Sequence, residues 1–194
     1  MGADMEPFLR STDAIDWMHP DVSACALRLR GDSTDPLAIA RRCFEWVRDE
    51  IRHTADHRLK PVTCAASELL REGSGYCYAK SHLLAALLRA NGIPAGLCYQ
   101  RLSLDGHGAP FCLHGLSAAH LPGIGWYRLD PRGNKPGIDA QFAPPAEQLA
   151  FRPNVPGEAD LRDIRPDPLD VVVTTLRAHT DADLLARALP DLAV

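Results

Sequence analysis

Gly73-Ser74-Gly75-Tyr76-Cys77-Tyr78-Ala79-Lys80-Ser81-His82-Leu83, continuing Leu84-Ala85-Ala86-Leu87-Leu88-Arg89-Ala90-Asn91-Gly92-Ile93-Pro94, is the stretch that decides how this chain reads. Gly73-Ser74-Gly75 is a flexible turn. A helix opens at about Cys77 and runs to Asn91, where Gly92 and Pro94 stop it. Between Leu83 and Ala90 the only charged side chain is Arg89, so the helix belongs in the middle of a fold. Its first residue is a cysteine. Unpaired N–H groups and the helix dipole favour negative charge at that position, which is what a thiolate needs. Lys80, in the first turn, opposes the dipole. It reads as a solvated lysine, with stabilisation of a nearby thiolate as the lesser alternative.

Upstream, Ser23 to Arg30 can form a short helix ended by Gly31. Asp35 caps a second, with Pro36 at its first position. Leu37, Ala40, Phe44, Val47 and Ile51 then recur at helical spacing, predicting an amphipathic helix over about 36–52. Residues 53–63 read as a polar loop, and Ala65 to Arg71 as a further short helix. Downstream the pattern changes to strands: Ala95 to Leu104, Phe111 to Ala118, Ile124 to Leu129, and Val171 to Leu176. Asp105-Gly106-His107-Gly108 and Pro122-Gly123 mark turns. The Pro-, Gly- and Asp-rich stretch 130–168 reads as a long surface loop with a helical turn near Glu147. A last helix is expected over 181–189, weakly capped by Thr180 and Asp183. Helices first and antiparallel strands after them is an α+β order.

A thiol nucleophile needs a base within reach, and that base needs a carboxylate to orient it. Alternation places Cys112, His114 and Leu116 on one face of the second strand. Asp130 ends the third, in Trp126-Tyr127-Arg128-Leu129-Asp130-Pro131. The Pro122-Gly123 turn brings these strands side by side, so His114 and Asp130 can be cross-strand neighbours, with Cys77 reaching them from the helix. The structural alternative makes Cys77 a buried filler, His114 a satisfied core histidine and Asp130 a turn cap. Tyr76, Tyr78 and Trp46 are candidates for cleft walls, although core packing explains each equally well.

At these residues the sequence resembles the transglutaminase-like superfamily, within the wider papain-like fold. The segment Gly75 to Ala95 resembles that superfamily's Gly-x-Cys helix and Gly-Ile-Pro exit. Phe44-Glu45-Trp46-Val47-Arg48-Asp49-Glu50-Ile51 resembles its lead-in helix, and Gly125-Trp126-Tyr127-Arg128-Leu129-Asp130-Pro131 its aspartate motif. The resemblance covers about residues 36–135 of a chain read as a single domain, 1–194, with extensions at both ends. It implies N-terminal helices and a central nucleophile helix packed on an antiparallel sheet. It also implies Cys77 as nucleophile, His114 as base and Asp130 as orienter, with acyl transfer through a thioester and no cofactor. The acyl donor would be a peptide, protein or small amide. The acceptor is water in a cysteine peptidase or amidase, and an amine in a transglutaminase. A non-catalytic binding domain on the same scaffold is a further alternative. This chain departs from the family in following its histidine with Gly115-Leu116-Ser117, where tryptophan and an acidic residue are common. His107 and His120 are the other histidines that could serve.

Composition limits the remaining classes. The 194 residues are 46% hydrophobic and 24% charged, with net charge −4 and no dense basic run, which does not predict a nucleic-acid surface. The start, Met1 to Pro7, lacks the basic and apolar regions of an export signal, and Leu83 to Leu88 is too short to cross a bilayer. The expectation is a cytoplasmic protein whose six cysteines stay reduced. No Cys-x-x-Cys or His-Glu-x-x-His motif occurs. His53 with His57, and Cys112 with His114, have spacings a metal could use, but the first pair reads as solvated loop histidines.

Overall fold

The computed structural model describes residues 4–192. Met1, Gly2 and Ala3, part of the export-signal reading, lie outside them. The architecture is α+β, with N-terminal helices packed against an antiparallel sheet. After a short 3₁₀ turn at Glu6–Phe8 come α1 (Pro20–Arg30), α2 (Pro36–Glu50), β1 (Arg52–His53), α3 (Ala66–Glu72), β2 (Ser74–Gly75) and α4 (Cys77–Ala90). The second half holds β3 (Ala95–Ser103), β4 (Phe111–Leu121), β5 (Gly125–Leu129), β6 (Gln141–Ala143), β7 (Ala146–Gln148) and β8 (Ala159–Arg165), then α5 (Asp170–Ala178) and α6 (Ala182–Leu185). The main sheet has the order β5-β4-β3-β8, antiparallel throughout.

Local signals account for the helices. Asp35 accepts from Leu37 N and Ala38 N at 3.0 and 3.3 Å, and Pro36 opens α2. The stripe Ile39, Ala40, Cys43, Phe44 and Val47 is buried. In α4 every residue from Cys77 to Arg89 is buried. That helix therefore has no wet face, and its polar side chains must find partners inside the protein. Ser81 O accepts from Ser117 Oγ on β4 at 3.1 Å, and the Tyr78 hydroxyl donates to Leu113 O. His82 Nδ1 lies 2.7 Å from Cys64 O, and Arg89 reaches Ala95 O and Arg10 O. Two of these bonds fasten α4 to β4, and the others tie it to Cys64, Ala95 and Arg10.

Lys80 corrects the solvated reading. It is fully buried, and Nζ donates to Arg48 O and Ile51 O where α2 ends. A donor there satisfies carbonyls that the helix leaves open. Burial, followed by the charge of Arg132, brings its amine down to about 7.

Four other expectations change. The β-branched run at Val171–Thr175 is helix α5, because Val172 and Leu176, four apart, bury one face against the core. The stretch 130–168 holds a β6–β7 hairpin and the edge strand β8 paired with β3, and Glu147 sits in β7. Its polar composition fits strands whose outer side chains form ion pairs, such as Glu147 and Asp160 on Arg128. The last helix is only Ala182–Leu185, capped by Asp181 rather than Thr180. Residues 53–63 include the end of β1, a two-residue strand parallel to β2.

Candidate functional site

Cys77 is the first residue of α4. Its N-cap, Tyr76, offers no side-chain cap to the first turn. The approach is fixed by β1 and β2, where His53 pairs with Gly75 and Thr54 N donates to Gly75 O at 3.0 Å. A Cβ on Gly75 would lie 2.4 Å from Leu69 Cδ1 and 2.6 Å from Thr63 Oγ1, so only glycine lets the chain pass this point undistorted. The sulfur-bearing residue keeps 7% exposure, on the wall of a cleft of about 710 Å³.

The imidazole comes from β4 and the carboxylate from just past β5. The last pair of that ladder is Ser117↔Leu129, so Asp130 sits one step beyond it and meets His114 on the diagonal rather than directly across. His114 Nε2 donates to Asp130 Oδ2 at 2.8 Å. The backbone N–H groups of Ala150 and Arg132 complete the carboxylate's partners, at 3.0 and 3.2 Å. With Nε2 committed, Nδ1 is the ring nitrogen outside that bond, and Cys77 lies close enough to act on the ring's ionisation.

The electrostatics follow from that arrangement. Burial alone would lower the His114 pKa. The charge of Asp130, then that of Cys77, outweighs burial and lifts it to about 10. Burial alone would raise the Asp130 carboxyl. His114 and the two backbone donors hold it below the ordinary carboxylate value instead. The imidazole is therefore charged at neutral pH and bonded to an ionised carboxylate, and it lines the same cleft as Cys77.

Sequence reasoning missed the groups around this pair. Phe151 stands edge-on to the His114 ring, centroids 4.9 Å apart, and the Arg132 guanidinium lies 5.6 Å from the Phe151 ring. Gln100, opposite His114 on β3, donates from Nε2 to Phe151 O at 3.3 Å. No motif announced a segment that lies 21 residues past Asp130 in the chain. Tyr76 and Tyr78 line the cleft with Cys77 and His114. Trp46 does not. It packs on the helical core beneath Arg28, because the wide face of α2 turns it toward α1. His120 stacks edge-on against Trp126 on another part of β4, and His107 sits in the exposed β3–β4 turn. Among the described residues no three metal-ligating side chains gather.

Residues 23–131 match the sequence profile of the transglutaminase-like superfamily, more than half of the chain. The chain belongs to the transglutaminase-like superfamily. Its fold is similar to that of a cysteine-protease candidate from Cytophaga hutchinsonii, with a TM-score of 0.54 and 20% identity over 68% of this chain and 43% of that one. The periplasmic domain of TgpA from Pseudomonas aeruginosa also matches, with a TM-score of 0.48 and 24% identity over 66% of this chain and 46% of that one. The chain thus spans less than half the length of either protein. No curated protein sequence matches it. The TgpA domain is periplasmic, and the cytoplasmic assignment drawn from the N-terminal sequence is withdrawn. No helix among the described residues is long and apolar enough to cross a membrane.

Proposed function

We propose that the chain is a thiol enzyme in which Cys77 attacks the acyl carbon of a peptide, protein or small amide and holds the acyl group as a thioester. The observation that carries this reading is the His114–Asp130 bond of 2.8 Å, set beside a sulfur at an uncapped helix start on a cleft wall. A charged imidazole stabilises a neighbouring thiolate, and helix N–H groups add to the effect. As the tetrahedral intermediate collapses, the C–N bond breaks and His114 gives its proton to the leaving amine. His114, now neutral, takes a proton from the next nucleophile, which displaces Cys77 and restores the ion pair. Asp130 fixes the ring's orientation and favours its charged form. The Cys77 N–H is offered to the developing oxyanion.

Water as acceptor makes the enzyme a cysteine peptidase or amidase, and an amine makes it a transglutaminase-type acyltransferase. Residues outside the family match contribute to the site, since Ala150 binds Asp130 and Phe151 covers His114. Near the C-terminus, Pro190 O accepts from Leu113 N and Ala182 O from the Tyr76 hydroxyl. These contacts support treating 1–194 as a single domain built on a central nucleophile helix. Cys77→Ala should fold normally and form no acyl adduct with an electrophilic amide mimic. Retained turnover in that variant removes the assignment, and a wild-type protein that never becomes labelled at Cys77 supports a binding domain instead.

A further inference from the structure

The cleft has a second imidazole that the proposed chemistry does not use. His53 lines it together with Cys77 and His114. It sits on β1 opposite Gly75, two residues before Cys77, and only 8% of it is exposed. Its ring is set edge-on against Tyr76, centroids 5.7 Å apart, and the Tyr76 hydroxyl is itself tied to Ala182 O at 3.0 Å. His53 Nδ1 is enclosed and has no hydrogen-bond partner among the described residues. A buried nitrogen without a partner is costly and uncommon, so its retention calls for an explanation.

The neighbours of Nδ1 indicate the tautomer. Asp56 Oδ2 lies 3.8 Å away, too far for a hydrogen bond but close enough to repel a lone pair. Arg132 and Lys135 clamp Asp56 and keep it ionised, below its ordinary value despite burial. The stable arrangement puts the proton on Nδ1, facing that carboxylate, and leaves Nε2 as the acceptor of a ring that lines the cleft. Burial, and then the charge of Arg132, lowers the His53 pKa to about 3, so the ring is neutral. The cleft therefore holds one charged imidazole that donates and one neutral imidazole that accepts.

We infer that His53 is the docking group for the acyl acceptor, its Nε2 taking a hydrogen bond from the water or amine that attacks the Cys77 thioester. The inference rests on the thioester reading above. In this step the acceptor's oxygen or nitrogen bonds to the acyl carbon and the C–S bond breaks. One proton passes to His114, and a second N–H or O–H of the acceptor stays hydrogen-bonded to His53. His53 orients the nucleophile and gains no proton.

The test uses p-nitrophenyl acetate as acyl donor, with water and then hydroxylamine as acceptors. His53→Phe keeps the aromatic contact with Tyr76 and removes the acceptor atom. His53→Gln restores an acceptor close to the position of Nε2. The expected result for His53→Phe is a p-nitrophenol burst of wild-type rate and amplitude, which also reports a folded site. It is followed by a steady state at least tenfold slower, with acetyl-Cys77 accumulating in the intact mass spectrum. His53→Gln should recover most of the loss and change the partition between water and hydroxylamine. If His53→Phe does not fold, Asp56→Asn, which removes the charge that selects the tautomer, should give the same slow deacylation. Equal slowing of burst and steady state, or wild-type deacylation in these variants, overturns the role of His53 and leaves Cys77 in place. Absence of any acetyl-Cys77 in the wild type overturns both.

Discussion

Gly115 lies against the first turn of α4: a Cβ placed there would stand 3.1 Å from Tyr78 Cδ1 and 3.2 Å from Tyr78 Cα. The neighbours of these two residues are His114 and Cys77. The closeness of sheet and helix at this one point therefore sets the distance between imidazole and sulfur. It also gives a physical reason for the glycine that follows His114, the feature that departs from the family pattern.

Gly115→Ala should push the helix start away from β4 by a few tenths of an ångström. Small displacements of reacting groups cost about tenfold to hundredfold in rate. The overpacking itself should cost about 1–3 kcal/mol. The expected outcome is a kcat/KM reduced far more than the modest fall in Tm would explain, measured on the same acyl donor as the wild type.

The ionisation of His114 gives an alkaline limit. Its folded pKa, about 10, lies above the ordinary value of 6.5. A raised histidine contributes stability that is fully present below the unfolded pKa and is lost as pH rises through the folded one. Stability should therefore decline between pH 6.5 and about 10, and acylation that needs the charged imidazole should fall as pH passes about 10. In Asp130→Asn the largest influence raising that pKa is gone and burial is less opposed. The alkaline limb should then move to lower pH, as seen in a pH profile of the acylation rate.

His82 sets the opposite limit. Burial pushes its pKa from 6.5 down to about 4, and its ring bonds Cys64 O from Nδ1. The unfolded chain binds the proton first, so stability is complete above 6.5 and falls as pH drops from there through 4. The loss amounts to about 3 kcal/mol. His53, lowered further by burial, acts in the same direction. Urea midpoints across this range should slope with pH, and less steeply in His82→Gln.

Lys80→Met tests the buried amine. Removing the donor leaves Arg48 O and Ile51 O open at the end of α2, a cost of about 1–3 kcal/mol each when buried. Denaturant unfolding should show the loss, while labelling of Cys77 persists.

The central part of the fold was legible because its helices carry their instructions locally: α2 a capped start and an apolar stripe, α4 an apolar run and a glycine–proline stop. The pairing of His114 with Asp130 was legible through alternation and a short turn. The second half was not. Val171–Thr175 has strand propensity, and only packing at Val172 and Leu176 makes it helical. The contacts of Ala150 and Phe151 with the site depend on a long excursion of chain that no local period encodes. The burial of Lys80 was hidden because its carbonyl partners lie about thirty residues upstream.

Alkylation of the two cleft cysteines tests the central claim most directly. Cys77 and Cys112 open on the same cleft, and burial raises the Cys112 thiol to about 12. Treatment with limiting iodoacetamide at neutral pH, followed by peptide mass spectrometry, compares them in one sample. The account predicts selective modification of Cys77, with that preference greatly reduced in His114→Ala. Equal modification of Cys77 and Cys112 in the wild type, or an unchanged preference once the imidazole is gone, would contradict it.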